Sequence, residues 1–186
     1  VRATLSRTAL LPSAVVLCLM VTNGAQVSFL PIHSARHGMK SGLFFLAFAQ
    51  MVALVRSHAG RLSDRLGRVP VAVSGLAVTA LATAGLAFTT DIIALSAAGI
   101  IYGIGFGTAQ PALTAWTVDG VAPGQRGRAM GTYYTALELG IAIGAVAAGL
   151  AVPAIGFAGT FLAVAGVAAA GAAVAAGTRH RQRVLA

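Results

Sequence analysis

The chain is a succession of apolar runs of about twenty residues, the length at which a helix crosses the roughly 30 Å hydrocarbon core of a bilayer. The runs are 9–31, 42–61, 69–88, 92–117, 129–150 and 153–177. Inside hydrocarbon a backbone polar group finds no water, so each run must close its own hydrogen bonds as a helix. The Val-rich stretches are too long for strands and lack the two-residue alternation of a barrel. Charged residues make up 9 % of the chain, against about 25 % in a soluble domain. Too few polar residues remain to clothe a soluble core, which excludes a soluble enzyme and a disordered protein. The single cysteine, Cys18, excludes a disulfide-built secreted domain. The expected fold class is an all-α membrane protein with six transmembrane helices, forming one bundle over residues 1–186. The first run is as long as a span and has no small-residue cleavage pattern behind it, so it reads as a helix of the bundle and not as a signal peptide. The chain opens on Val1, which reads as a fragment or an alternative start.

Thirteen Lys and Arg stand against four Asp and Glu, for a net charge of +9. In a soluble chain such an excess points to nucleic acid. Here the basic residues lie in the links between apolar runs, where they set topology, and no nucleic acid is expected as a partner. With the N-terminus in the cytoplasm, the inside segments hold Arg2, Arg7, Arg56, Arg61, Arg65, Arg68, Arg126, Arg128, Arg179, Arg181 and Arg183. The outside segments hold Arg36 and Lys40. Both termini are therefore predicted to be cytoplasmic. The second run is the weakest: its uncharged stretch ends at Val55, and Arg56 is expected near the interface, its stem in lipid and its head in water. The links near 89–91 and 151–153 are very short, and those at 62–68 and 118–128 are longer and charged.

Glu138 is the one acidic residue well inside a run. A carboxylate at that depth is costly unless paired, hydrated or protonated, which makes it a candidate for a proton path. Tyr134 lies one turn before it on the same face. Asn23, Gln26, Gln50, Gln110 and Trp116 complete a set of polar residues inside the runs. Singly, each reads as a former of hydrogen bonds between helices; as a set they suggest a substrate or proton pathway. Gly99-x-x-x-Gly103 and Gly140-x-x-x-Gly144 are faces on which helix backbones can approach closely. His33 and His37 stand four apart with no carboxylate or cysteine nearby, and Pro31 is expected to end the helix before them, so no metal site is expected. Catalytic residues are not expected either. Ser74-Gly75 has no intramembrane His to activate it, and the paired Asn-Pro-Ala loops of a water channel are missing from the sequence.

Between the second and third runs stands Gly60-Arg61-Leu62-Ser63-Asp64-Arg65-Leu66-Gly67-Arg68. This string resembles the signature loop of the major facilitator superfamily (MFS), which lies between the second and third helices of each six-helix half. Tyr102-Gly103-Ile104-Gly105-Phe106-Gly107, Gln110-Pro111-Ala112-Leu113 and Gly131-x8-Gly140-x3-Gly144 are similar to the fourth and fifth helices of such a half. Phe29-Leu30-Pro31 followed by Gly42-Leu43-Phe44-Phe45 resembles the seventh and eighth helices of bacterial sugar- and drug-efflux-like permeases. Two positions depart from the pattern: Val69-Pro70 follow the loop where a basic residue is usual, and Ala145 stands where the antiporter motif has Pro. The resemblance implies the C-terminal half of a twelve-helix transporter in a bacterial plasma (inner) membrane, working by alternating access on a small organic solute, with efflux as the direction. It implies a conformational latch of Gly60, Asp64, Arg65, Gly67 and Arg68, with Asp64 paired to Arg68 and to the N-terminal end of the fifth helix. Implied partners are the lipid bilayer, a small-molecule substrate and an N-terminal six-helix half in the same or another chain. No cofactor is implied, with proton coupling possible through Glu138. The alternative is a truncated membrane protein that transports nothing; an intramembrane enzyme or a channel ranks below it.

Overall fold

The computed structural model describes residues 9–184, with side chains through Thr178. Arg2 and Arg7 lie outside the described residues, as do the side chains of Arg179, Arg181 and Arg183. Among the described residues there are helices and no strand. The helices are α1 (Leu10–Arg36), α2 (Gly42–Leu66), α3 (Arg68–Leu86), α4 (Ile92–Asp119) and α5 (Arg126–Val184), with a short 3-10 turn at Pro123–Gln125 before the last. All five are long and apolar enough to cross a membrane.

Two ends of the bundle are defined by what packs together. One core cluster joins Val15 and Leu19 of α1, Val71 and Leu76 of α3, Leu113 of α4, and both Tyr133 and Ala175 of α5. The other joins Leu30 of α1, Phe44 of α2, Leu86 of α3, Leu95 of α4, and Phe157 and Phe161 of α5. The two ends of α5 thus meet at one pole of the bundle and its middle lies at the other. The chain reverses inside α5, and the hinge is Gly156, whose φ of 70° and ψ of 177° are non-helical. Only glycine enters that region at little cost. The sequence places the reversal at 151–153, but Val152 and Pro153 are still helical. Pro153 cannot break the helix alone, because Gly156 supplies the dihedral angle that it lacks.

Other boundaries shift for similar local reasons. The expected loop at 62–68 is a corner of one residue: α2 runs on to Leu66, α3 begins at Arg68, and Gly67 turns between them with φ 92°. The helix of α1 continues through Pro31 to Arg36, so His33 is a buried helical residue packed on Phe157 and Phe161 at ring distances of 5.3 and 5.5 Å. At the start of α4, Asp91 accepts hydrogen bonds from the Ile93 and Ala94 amides at 2.9 and 2.8 Å, which satisfies two of the free N–H groups of the first turn.

The helices meet through glycine seams. A Cβ on Gly99 would lie 2.6 Å from the Phe44 carbonyl oxygen, and one on Gly103 2.7 Å from that of Phe48, which fixes α4 alongside α2. A Cβ on Gly75 would lie 2.6 Å from the Ala109 amide, which fixes α3 on α4. Gly140 faces Leu17, and Gly144 and Gly24 lie against the Val21 and Ile141 carbonyls, so α1 and the first arm of α5 run backbone to backbone. The second arm returns along α1, with Gly171 against Cys18. Around these seams Leu81, Ile93, Leu150 and other large apolar side chains are exposed, as a lipid-facing surface requires.

The seams predict the response to substitution. Gly140→Val should destabilise the detergent-purified protein by about 3 kcal/mol or more, because the added atoms meet backbone that cannot move aside. Gly166→Ala, at a glycine with open space around it, should be neutral or stabilising by about 0.5–1 kcal/mol through helix propensity. Thermal unfolding of the two variants checks the contrast.

Candidate functional site

Two polar assemblies stand out, one at a pole of the bundle and one along its flank. The first is the α2–α3 corner. Because Gly67 turns the chain within one residue, Arg68 opens α3 directly beneath the last turn of α2. Its Nη1 donates to Asp64 and, at 3.3 Å, to the Ser63 hydroxyl. Its Nε donates to Asp119 Oδ2 at 2.7 Å, at the end of α4. One guanidinium thus ties three helix ends. The fifth helix is not among them: α2 and α5 do not touch among the described residues, so the expected pairing of Asp64 with the start of that helix is replaced by the Arg68–Asp119 link. Arg65 and Gly60 are on the same stretch of α2 without a bond to this assembly.

The second assembly is a set of polar side chains contributed by α1, α2, α4 and the first arm of α5, with α4 between the others. Asn23 is half-buried beside the Tyr102 hydroxyl, which shares a 2.9 Å hydrogen bond with Thr22. On α4, Gln110 Oε1 accepts from Arg56 Nη2 at 3.4 Å. The Thr114 hydroxyl donates to the Tyr133 hydroxyl at 3.1 Å, and the Tyr133 and Tyr134 rings are 5.7 Å apart. Tyr134 and Glu138 are exposed, and Glu138 has no ion-pair partner among the described residues.

Not every expected residue joins this flank. Gln26 is fully buried, and its Nε2 donates to Thr83 Oγ1 of α3 at 3.0 Å, which makes it a tie between helices. Gln50 is exposed on α2 away from Gln110, and Trp116 packs half-buried against the core. Arg56 lies ten residues before the end of α2, about 15 Å along the helix axis. The fourteen-residue uncharged stretch suggests a helix that stops early; α2 instead runs on past Arg56, and the Gln110 amide receives the side chain. Tyr102, Tyr133 and Asp119 are further members whose partners no local pattern marks. Asp119 is betrayed only by its place at the end of an apolar run, one helix away from the corner it serves.

With this geometry established, comparison with known proteins supplies the class. The profile of the Major Facilitator Superfamily matches residues 5–184. The chain belongs to that family of membrane transporters. It is 33 % identical over 104 residues to the 3-(3-hydroxy-phenyl)propionate transporter of Escherichia coli (strain K12), covering 56 % of this chain and 24 % of that protein. It is 30 % identical over 112 residues to Multidrug resistance protein 2 of Bacillus subtilis (strain 168), covering 60 % of this chain and 28 % of the relative. An uncharacterised MFS-type transporter of Methanocaldococcus jannaschii is 26 % identical over 111 residues, again 28 % of its length. The match therefore spans about a quarter of each relative. Family and apolar helices mark a multi-pass membrane protein of a transporter family.

The corner yields a direct test. Asp64 and Asp119 are more than half exposed, so either Asp→Asn change should cost no more than about 1 kcal/mol of stability. Because both carboxylates share Arg68, a double-mutant cycle of Asp64→Asn with Asp119→Asn should be non-additive by about 0.5 kcal/mol; thermal unfolding in detergent measures it.

Proposed function

We propose that this chain is one half of a secondary active transporter that works by alternating access, with residues 1–186 forming a single six-helix bundle. The two arms of α5 cross the membrane separately, since an uninterrupted helix of 59 residues would extend about 90 Å. The pole that holds the Gly67 corner and the Asp119–Arg126 link faces the cytoplasm, as do both termini. Arg61, Arg65, Arg68, Arg126 and Arg128 gather there, against Arg36 and Lys40 at the other pole. The membrane is a bacterial inner membrane. The partner is an N-terminal six-helix half, in the same polypeptide or another.

The observation that supports this reading is the polar flank. Arg56 is bonded to Gln110 and Asn23 lies beside Tyr102, while Tyr134 and Glu138 are exposed along the first arm of α5. A second half facing that flank would enclose a polar cavity at mid-membrane. The cargo is a small organic solute and the direction is efflux. One relative is named for a propionate and another for multidrug resistance; Arg56 provides a cation for the carboxylate of an organic acid, and the tyrosines provide ring surface. Glu138, free of a counter-charge, is the residue for proton coupling. No cofactor is needed for such a cycle. Gly60, Asp64, Arg65, Gly67 and Arg68 act as the cytoplasmic latch, a reading supported by the bonds of Arg68 to Asp64 and Asp119. A truncated protein that transports nothing has the same bundle, and activity separates the two.

Transport of aromatic carboxylates into proteoliposomes by the full-length natural product tests the reading. Arg56→Gln should raise KM for the carboxylate about tenfold or more, since hydrogen bonds to charged groups contribute about 1.5–3 kcal/mol. Glu138→Gln should abolish the response to a pH gradient. Asp64→Asn should shift the balance of inward- and outward-open states. Wild-type vesicles that move no solute under any gradient would favour the non-transporting alternative.

A further inference from the structure

On the opposite flank of α2 from Arg56 lies a shallow cavity of about 460 Å³. The seam between α2 and α4 runs through Phe44, Phe48 and Val52. From that seam Arg56 diverges to one side, toward Gln110. His58, Arg61 and Arg65 diverge to the other, where they line the cavity with Val55 and Leu62 of α2 and Thr108 of α4. Spacings of three and seven residues bring the three basic side chains onto one face. Among the described residues neither guanidinium has an ion-pair or hydrogen-bond partner. The neighbouring carboxylate, Asp64, is turned to Arg68. His58 Nδ1 is held by the Leu54 carbonyl at 3.2 Å and Ser57 Oγ at 3.3 Å.

The surroundings restrict what such a pocket can hold. One and two turns from Thr108 toward mid-membrane, Ile104 and Ile101 are 38 % and 44 % exposed, and Leu54 beside them is 62 % exposed. Together they form an apolar strip that leads out of a cationic dent. The dent lies toward the pole where Arg68 and Asp119 join the helix ends; on the proposed topology, on which this inference rests, that is the depth of cytoplasmic lipid headgroups. Nothing in the lining is acidic, so cations are excluded. A bare inorganic anion would find two arginines, an imidazole and an otherwise apolar wall, and would leave the strip uncovered. A molecule with an anionic head and an aliphatic tail satisfies both parts.

We infer that this pocket is a binding site for an anionic phospholipid, its phosphate held by Arg61 and Arg65 beside His58 and an acyl chain laid along Ile104, Ile101 and Leu54. The site is separate from the polar flank and does not depend on what the protein carries.

Native mass spectrometry of the full-length natural product, released from nanodiscs of phosphatidylcholine with or without phosphatidylglycerol, tests the inference. One phosphatidylglycerol should remain bound in preference to phosphatidylcholine, and inorganic phosphate should not displace it. Arg61→Gln should weaken retention about fivefold, and Arg61→Gln with Arg65→Gln about twenty-five-fold, the loss expected for one and two arginines at a membrane surface. Arg126→Gln with Arg128→Gln removes the same charge from the same pole and should leave retention nearly unchanged. Equal loss from the two pairs would overturn the site in favour of general surface charge. Displacement by phosphate would overturn it in favour of a free-anion site. Should the α2 variants fail to fold, equal retention of the two lipids by the unsubstituted protein would itself refute the inference.

Discussion

Backbone-to-backbone contact at the glycine seams is the constraint from which the rest of this structure follows. Lipid tails are as apolar as leucine, so burying one apolar helix face against another yields no hydrophobic gain inside a membrane. What holds the helices is dispersion at close range and a few hydrogen bonds, and both fall away quickly with distance. Gly24, Gly140 and Gly144 bring α1 and the first arm of α5 to touching distance, and Gly99, Gly103 and Gly75 do the same around α4. Once those registers are set, Tyr102 must meet Thr22, Gln26 must meet Thr83, and Thr114 must meet Tyr133. None of these pairs could be shifted by a turn without opening a seam.

Polar residues thereby separate into two populations. Those between helices, such as Gln26, Tyr102 and Tyr133, bond a neighbouring helix and fix the register. Others contributed by α1, α2, α4 and the first arm of α5 are left exposed or partnered only loosely, as the 3.4 Å contact of Arg56 with Gln110 illustrates. Exposure of Glu138 and Arg56 along membrane-spanning helices is stable only if water, solute or another protein surface covers them. The same economy applies at the pole, where a single guanidinium serves both Asp64 and Asp119.

Much of this was legible in the residues. The apolar runs marked every helix because hydrocarbon thickness imposes their length. The Gly60–Arg68 string pointed to the family because one turn, one acid and several bases are held at fixed spacing there. The reversal in α5 was placed three residues early, since Pro153 is the stronger local signal and the deciding feature is the positive φ of Gly156. The bond of Gln26 to Thr83 was not legible, because a pattern of polar positions does not say which neighbour a side chain faces. The partner of Arg56 was not legible, because a drop in hydropathy marks a charge and does not say that Gln110 on another helix receives it. Asp119 was invisible as a partner of Arg68 because the two are 51 positions apart and meet only after α3 and α4 have packed.

On the proposed topology the long α5 is a hairpin of two crossings. Single cysteines at Thr90, Gly124 and Thr178, introduced into a Cys18→Ser background and labelled in intact cells with a membrane-impermeant maleimide, separate a hairpin from a single crossing. A hairpin leaves position 90 modified from outside and positions 124 and 178 reactive only after the membrane is opened. Labelling of 178 from outside, together with 90 and apart from 124, would contradict it.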